Sequence, residues 1–253
     1  MLQRFSTVWP LLLLVPLTVL LFLAPQLNIT LFLAGHHALA VLPAPLWRIA
    51  SVFGDWPSVL MIVILLGLRF PDRLATLLFA ALPIMLLAGG MKAGFAEPRP
   101  FLVLPPGSVT LLDVPPGNGS FPSGHAMASS YLVVVLLWLW PERPVLRWSI
   151  VGALLVMLSR IAIGVHWPID LVAGALVGWG VATLWCDRLG WLRLSRLGVQ
   201  RFAVLLAVLA AGYTASLVLQ LHGHHEEVWL RLALAVAALV GVMRLARPAQ
   251  QMA

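Results

Sequence analysis

Eight apolar runs separated by short polar or proline-bearing breaks organise the chain: residues 8–24, 58–68, 74–91, 126–140, 145–163, 169–186, 202–219 and 228–243. Each reads as a membrane-crossing helix. Several fall short of the ~20 residues that a straight span requires, so they are expected to extend into the interface or to lie beside thinned bilayer. The first run follows Arg4 and is expected to be an uncleaved first span, since seven more runs follow and no small-x-small cleavage site is seen. Residues 28–57 are semi-apolar and interrupted by His36, His37, Pro43 and Pro45. They predict interfacial helices on one surface, with Trp47 and Trp56 as headgroup-level anchors. Residues 92–120 form a long Pro/Gly-rich loop, expected to be mobile over 101–120, whereas 164–168 is a very short turn. No repeat is visible. The fold class expected is all-α: a polytopic helical membrane bundle forming one domain, 1–253.

Composition agrees. The chain is 61% hydrophobic and only 10% charged, with a mean hydropathy of +0.99. A soluble domain carries about 25% charged residues, so an ordinary cytosolic globule is excluded, and the hydrophobicity excludes disorder. The net charge of +7 does not call for nucleic acid. Arg4, Arg69, Arg73, Arg143, Arg147, Arg188, Arg193, Arg196, Arg201, Arg244 and Arg247 fall on one side of an alternating eight-span chain. That side is expected to be the cytoplasm, with both termini in it. Only Arg48, Lys92, Arg99, Arg160 and Arg231 fall on or near the other side. Cys186 is the sole cysteine, which excludes an intrachain disulfide and a cysteine metal cage. Fifteen of the sixteen basic residues are arginine, which suits a GC-rich bacterial genome. The sequons Asn28-Ile-Thr30 and Asn118-Gly-Ser120 then carry little meaning.

Three clusters at the outer ends of spans three to six bear chemistry. They are Lys92 with Glu97-Pro98-Arg99-Pro100; Phe121-Pro122-Ser123-Gly124-His125; and Ser159-Arg160 with Gly164, His166, Pro168 and Asp170. Three fixed cations near one point repel one another unless an anion joins them, and a phosphoryl group fits arginine forks. Pro122 suits the first position of a helix, which would aim the N–H groups of Ser123, Gly124 and His125 at an anion. Gly124 lets the backbone approach it closely. Pro168 likewise starts a helix, with Asp170 in its first turn and within reach of one ring nitrogen of His166. The other nitrogen is left free to attack. His125 is the candidate general acid. Glu97 reads as a loop residue or an ion partner of Arg99, Asp113 as a solvated loop residue, and Trp138, Trp140 and Trp148 as interface anchors.

Together the clusters match K-x6-R-P, P-S-G-H and S-R-x5-H-x3-D, and over about residues 85–185 the chain resembles the type 2 phosphatidic acid phosphatase superfamily. The resemblance implies a helical membrane bundle with a six-span phosphatase core (1–186). The chain adds two C-terminal spans (187–253). It implies metal-independent hydrolysis of lipid phosphates through a phosphohistidine, with no cofactor and no nucleic-acid partner. His166 would be the nucleophile, Asp170 its orienting partner and His125 the acid. Lys92, Arg99, Ser123, Gly124 and Arg160 would bind phosphate. The motifs read phosphate without naming the lipid. Undecaprenyl diphosphate on the periplasmic face of a bacterial inner membrane is the first expectation. Phosphatidylglycerol phosphate, phosphatidic acid and the 1-phosphate of lipid A are competitors. A lipid phosphotransferase is a rival within the class, and a phosphate-binding or transport bundle is a rival outside it. Transporters place polar groups near the midplane in repeated halves, a pattern this sequence lacks. The run His222-Gly-His224-His225-Glu226-Glu227 has metal-ligand residue types. It is short and lies outside the matched region, so no metal is expected there.

Overall fold

The computed structural model describes residues 2–219 and 226–247. Among these the chain is helical and has no strand. The helices are α1 (Leu2–Leu23), α2 (Pro25–Leu39), α3 (Ala44–Val52), α4 (Trp56–Gly67), α5 (Leu74–Phe95), α6 (Pro100–Val103), α7 (Gly124–Leu139), α8 (Arg143–Ala162), α9 (Pro168–Leu189), α10 (Arg196–Leu219) and α11 (Glu226–Ala246). α8 to α11, and residues 71–103 around α5, are long and apolar enough to cross a membrane. Two further pairs pass that test together but are bent, α1–α2 by 104° and α3–α4 by 56°, and α7 is a shorter apolar helix. The eight runs of the sequence therefore correspond to eight apolar helical segments.

Proline and aspartate set the two bends. Pro25 opens α2, where a missing N–H leaves no bond unmade. Asp55 caps α4 by accepting from the Ser58 N–H at 2.8 Å. Helices α2 and α3 do fill the segment expected to be interfacial, but they pack on α8. Trp47 is consequently not a headgroup anchor. It is 3% exposed and donates its indole N–H to Leu39 O. Trp56 is likewise half-buried, facing Tyr131 with ring centroids 6.0 Å apart.

Helices α7 and α9 cross closely. A Cβ on Gly174 would stand 2.6 Å from Ser123 O, and one on Gly178 would stand 2.3 Å from Met127 O. Two glycines one turn apart thus let the backbone of α9 lie on that of α7, and Ser123 N donates to Asp170 O at 3.0 Å. The C-terminal ends of α5 and α8 and the N-terminal ends of α7 and α9 meet at one end of the bundle. α10 and α11 pack on each other, and α11 also packs on α3 and α4. Met61, Ile64, Leu74, Leu206 and Ala235 form a second core there.

The connection after α6 differs from the free loop expected. Thr110 N donates to His36 Nε2 at 3.0 Å, and Leu112 N donates to Ile163 O. Leu111 and Leu112 pack against the cluster of Trp47, Ile163 and Val165. Lys92 is also not a loop residue. α5 continues to Phe95, which puts the lysine in its last turn, where the helix dipole favours a cation.

Candidate active site

His166 lies in the reversal between α8 and α9. Gly164 makes that turn with φ +88, and a side chain there would also collide with Val109. The reversal is so tight that Val165 N donates to Arg160 O, bringing Arg160 and His166 to one place. Trp167 caps α9 and Pro168 opens it, so Asp170 stands at its third position, as the sequence predicts. Asp170 Oδ2 gathers three neighbours: Trp167 N at 2.8 Å, His166 Nδ1 at 3.1 Å and the Ser120 hydroxyl, which donates to it. Ser120 Oγ also stands 3.4 Å from His166 Nδ1. Its proton is committed to the carboxylate, so it presents lone pairs to the ring. Nδ1 thus faces two acceptors and carries the hydrogen. Nε2, 3.4 Å from Arg99 Nη1, carries the lone pair. His166 is 3% exposed and Asp170 is fully buried. Burial, then the charges of Arg160, Arg99 and Lys92, hold the His166 imidazole well below its ordinary pKa and keep it neutral.

Two of the cations, Lys92 and Arg99, converge on one stretch of loop. Lys92 Nζ donates to Gly119 O at 2.7 Å and to Ser120 O at 3.3 Å. Arg99 donates to Asn118 O, Asn118 Oδ1, Gly119 O and Val165 O. The segment Asn118-Gly119-Ser120, dismissed in the sequence as a sequon, is therefore the strap that ties both cations to the His166–Asp170 pair. Arg160 is buried, donates from Nη1 to Ser51 Oγ and has no partner for Nε among the described residues. Glu97 is exposed and is no ion partner of Arg99. Its carbonyl accepts from Ser120 N.

Helix α7 begins two residues later than the sequence suggests. Gly124 is its first residue, and Ser123 is the N-cap, accepting from Ala126 N. Pro122 lies outside the helix, and the Ser123 N–H is occupied by Asp170 O, so the N–H groups of Gly124 and His125 are the ones left at this terminus. The His125 ring makes no hydrogen bond among the described residues, and Gly54 packs against it. A Cβ at Gly54 would stand 3.1 Å from His125 Cβ.

A family model described as the PAP2 superfamily matches residues 73–193. An undecaprenyl-diphosphatase of Sulfolobus acidocaldarius is 30% identical over 158 residues, covering 60% of this chain and 73% of its own. Phosphatidylglycerophosphatase B of Escherichia coli K12 is 32% identical over 190 residues, covering 57% of this chain and 74% of its own. The chain belongs to the PAP2 superfamily. The crystal structure of Aquifex aeolicus LpxE superposes with a TM-score of 0.57 at 26% identity, covering 64% of this chain and 95% of that one. A transmembrane PAP2-type phosphatidylglycerolphosphate phosphatase from Bacillus subtilis gives 0.56 at 22% identity, covering 73% and 96%, which bears on the fold. The chain is thus an integral membrane protein and a hydrolase of the PAP2 lipid phosphatase kind.

Beside the PAP2 cluster runs an apolar cavity of about 470 Å³, lined by Leu21, Phe22, Phe95, Val103, Phe121 and Trp167 among others. Trp167 and Phe121 adjoin His166 and Pro122, so the cavity opens next to the polar site. Asn28, the other sequon asparagine, is buried and accepts from Ile169 N, fixing α2 to the start of α9. Of the histidine- and glutamate-rich run, residues 222–225 lie outside the described residues. Glu227 stands 3.7 Å from Arg48 in an ion pair. Among the described residues no group of three His, Cys, Asp or Glu side chains could hold a metal ion.

Proposed function

We propose that the chain hydrolyses the terminal phosphate of a lipid diphosphate, with undecaprenyl diphosphate the preferred candidate, on the periplasmic face of a bacterial inner membrane. The observation that carries this reading is the placement of His166: Nδ1–H held by Asp170, and Nε2 turned with its lone pair toward Arg99. In the first step Nε2 attacks phosphorus in line, and the P–O bond to the lipid phosphate breaks. His125 gives that oxygen its proton. In the second step water attacks the phosphohistidine, His125 takes the proton, and phosphate leaves. Lys92, Arg99, Arg160, the N–H groups at the start of α7 and the Ser123 cap stabilise the charge on the phosphoryl oxygens. Those groups supply what a metal would, so no metal is required. For Lys92 and Arg99 this means exchanging strap carbonyls for phosphate oxygens.

The apolar cavity beside Trp167 supports a lipid substrate, since it offers a tail a seat lined by Phe121, Pro98 and Trp167, chain neighbours of Pro122, Arg99 and His166. A diphosphate suits the charge, because its leaving group is itself an anion and is easily expelled. Residues 1–186 act as the catalytic core, and residues 187–253 as an appended helix pair within one domain. The arginine-rich end of the bundle faces the cytoplasm. The test is phosphate release by the purified protein from a panel of lipid diphosphates and monoesters, with His166→Ala as control. Release by the wild type and none by the variant is expected. Equal release by both would overturn the assignment.

A further inference from the structure

Trp56 lies outside the segment matched by the family model and outside the three motifs, yet it stands at the site. It is the first residue of α4, positioned by the Asp55 cap and packed on Tyr131. Its indole Nε1 is buried and has no hydrogen-bond partner among the described residues. The nitrogen stands 3.8 Å from where a Cβ of Gly124 would be, and apart from Gly124's chain neighbours and its own helix backbone no other heavy atom among the described residues comes within 4 Å of that point. Gly124 is the first residue of α7, so the orphan donor sits beside the helix N-terminus that offers its own free N–H groups. The preceding residues bind Trp56 to the same place, since Gly54 packs on His125 and on Val156 of α8.

A buried donor left unpaired is costly, and native structures carry few of them without a reason. Packing supplies no reason for the N–H itself, because an apolar bicycle of the same shape would fill the space without the cost. A group that arrives with the substrate does supply one. We propose that Trp56 is a phosphate-binding residue of this enzyme, its indole N–H donating to a phosphoryl oxygen held at the N-terminus of α7. This rests on the phosphatase reading above and extends the phosphate site to a helix that its motifs do not include. The donor is neutral and cannot titrate. It adds direction to the charge-based grip of Lys92, Arg99 and Arg160, and it comes from α4, a helix that carries none of those cations.

The proposal separates binding from folding. Trp56→Phe removes the N–H and keeps an aromatic ring. Replacement by 3-benzothienylalanine exchanges N–H for sulfur and keeps the full bicyclic shape. The benzothienyl variant should melt at or above the wild-type temperature, since an unsatisfied donor is gone and the shape is kept, while in both variants kcat/KM for a lipid phosphate falls about tenfold. Inorganic phosphate, used as a competitive inhibitor, should bind more weakly by a similar factor and raise the melting temperature less than it does in the wild type. A benzothienyl variant with wild-type kcat/KM and wild-type phosphate affinity would overturn the proposal. So would a drop in melting temperature accompanied by unchanged phosphate affinity, which marks a packing role. If the wild type releases no phosphate from any lipid, or His166→Ala releases as much, the phosphatase reading fails instead. The phosphate-induced shift in melting temperature still decides the role of Trp56.

Discussion

Arg231 Nε donates to Asp55 Oδ2 over 2.7 Å, across 176 residues of sequence. Asp55 caps α4, and its neighbours Gly54 and Trp56 bear on His125 and on the start of α7. The ion pair therefore fastens the appended helix α11 to the segment that walls the site. The two side chains are 27% and 15% exposed, so the pair is partly shielded from solvent. Arg231→Ala leaves a half-buried carboxylate without its cation, whereas Asp55→Asn keeps the cap and loses the charge. We expect each to lower stability, and their double mutant to show a coupling of ~1 kcal/mol in thermal or denaturant unfolding in detergent. Strict additivity would show that the pair contributes nothing.

That pair was not legible in the sequence, where Arg231 appeared only as an arginine on the disfavoured side. Local chemistry was legible: Pro168 and Asp170 sit at helix positions that their own backbone preferences dictate, so the relation of His166 to Asp170 followed from a spacing of four. Contacts between distant segments were not. Asn118-Gly-Ser120 has the composition of an exposed turn. It is held at the site because Lys92 and Arg99, 19 to 28 residues away, take its carbonyl oxygens as partners, and of its three residues Ser120 is buried. Trp47 and Trp56 read as interface anchors, since indole rings favour headgroups, and nothing local reveals that α8 and Tyr131 cover them. Pro122 misled because it suits a first helical position. Ser123, a better cap, moves the start of α7 to Gly124.

Ser120 offers a second test. Its hydroxyl fixes the Asp170 carboxylate and presents lone pairs to His166 Nδ1. Ser120→Ala should lower kcat by about tenfold with little change in KM, because it disturbs the orientation of the nucleophile and not the grip on phosphate. In an Asp170→Asn background the same change should have almost no further effect. Independent losses in the two backgrounds would place Ser120 outside the His166–Asp170 unit.

The histidines themselves predict a graded series in the presence of EDTA. Wild-type activity should persist with the chelator, since fixed cations and N–H groups supply the charge stabilisation. His166→Ala should abolish turnover, and Asp170→Asn should be milder, since it removes orientation and not the nucleophile. Loss of wild-type activity on chelation, restored by a divalent metal, contradicts the metal-independent mechanism.

pH dependence follows from the sign of the His166 shift. Burial and the nearby cations disfavour the imidazolium, so the folded-state pKa lies below the ordinary histidine value of about 6.5. The neutral nucleophile is lost only when pH falls through that lowered value. The acid limb of kcat/KM, which reports the free enzyme, should therefore lie below pH ~6.5. Arg160→Gln, which removes one of the cations, should move it upward. An acid limb above the ordinary value in the wild type would remove His166 from the nucleophile role.

Substrate choice turns on the leaving group. A diphosphate departs as a charged lipid phosphate that is a far weaker base than a lipid alkoxide, so it makes a smaller demand on His125 as acid. Three cations around one phosphoryl group also leave positive field to spare for a second. An enzyme with this site should therefore hydrolyse a polyisoprenyl diphosphate at least as well as phosphatidylglycerol phosphate, phosphatidic acid or a lipid A 1-phosphate, compared as kcat/KM in one detergent. His125→Gln should sharpen the contrast, since loss of the acid harms expulsion of an alkoxide more than expulsion of a phosphate. The apolar cavity beside Trp167 adds a second handle. A bulkier residue at Val103, which lines it, should penalise long-tailed substrates more than short-tailed ones. A wild-type preference for any monoester by more than about tenfold, or ~1.4 kcal/mol in transition-state binding, would exclude the diphosphate as the substrate for which this site is built. The hydrolytic mechanism would stand unchanged.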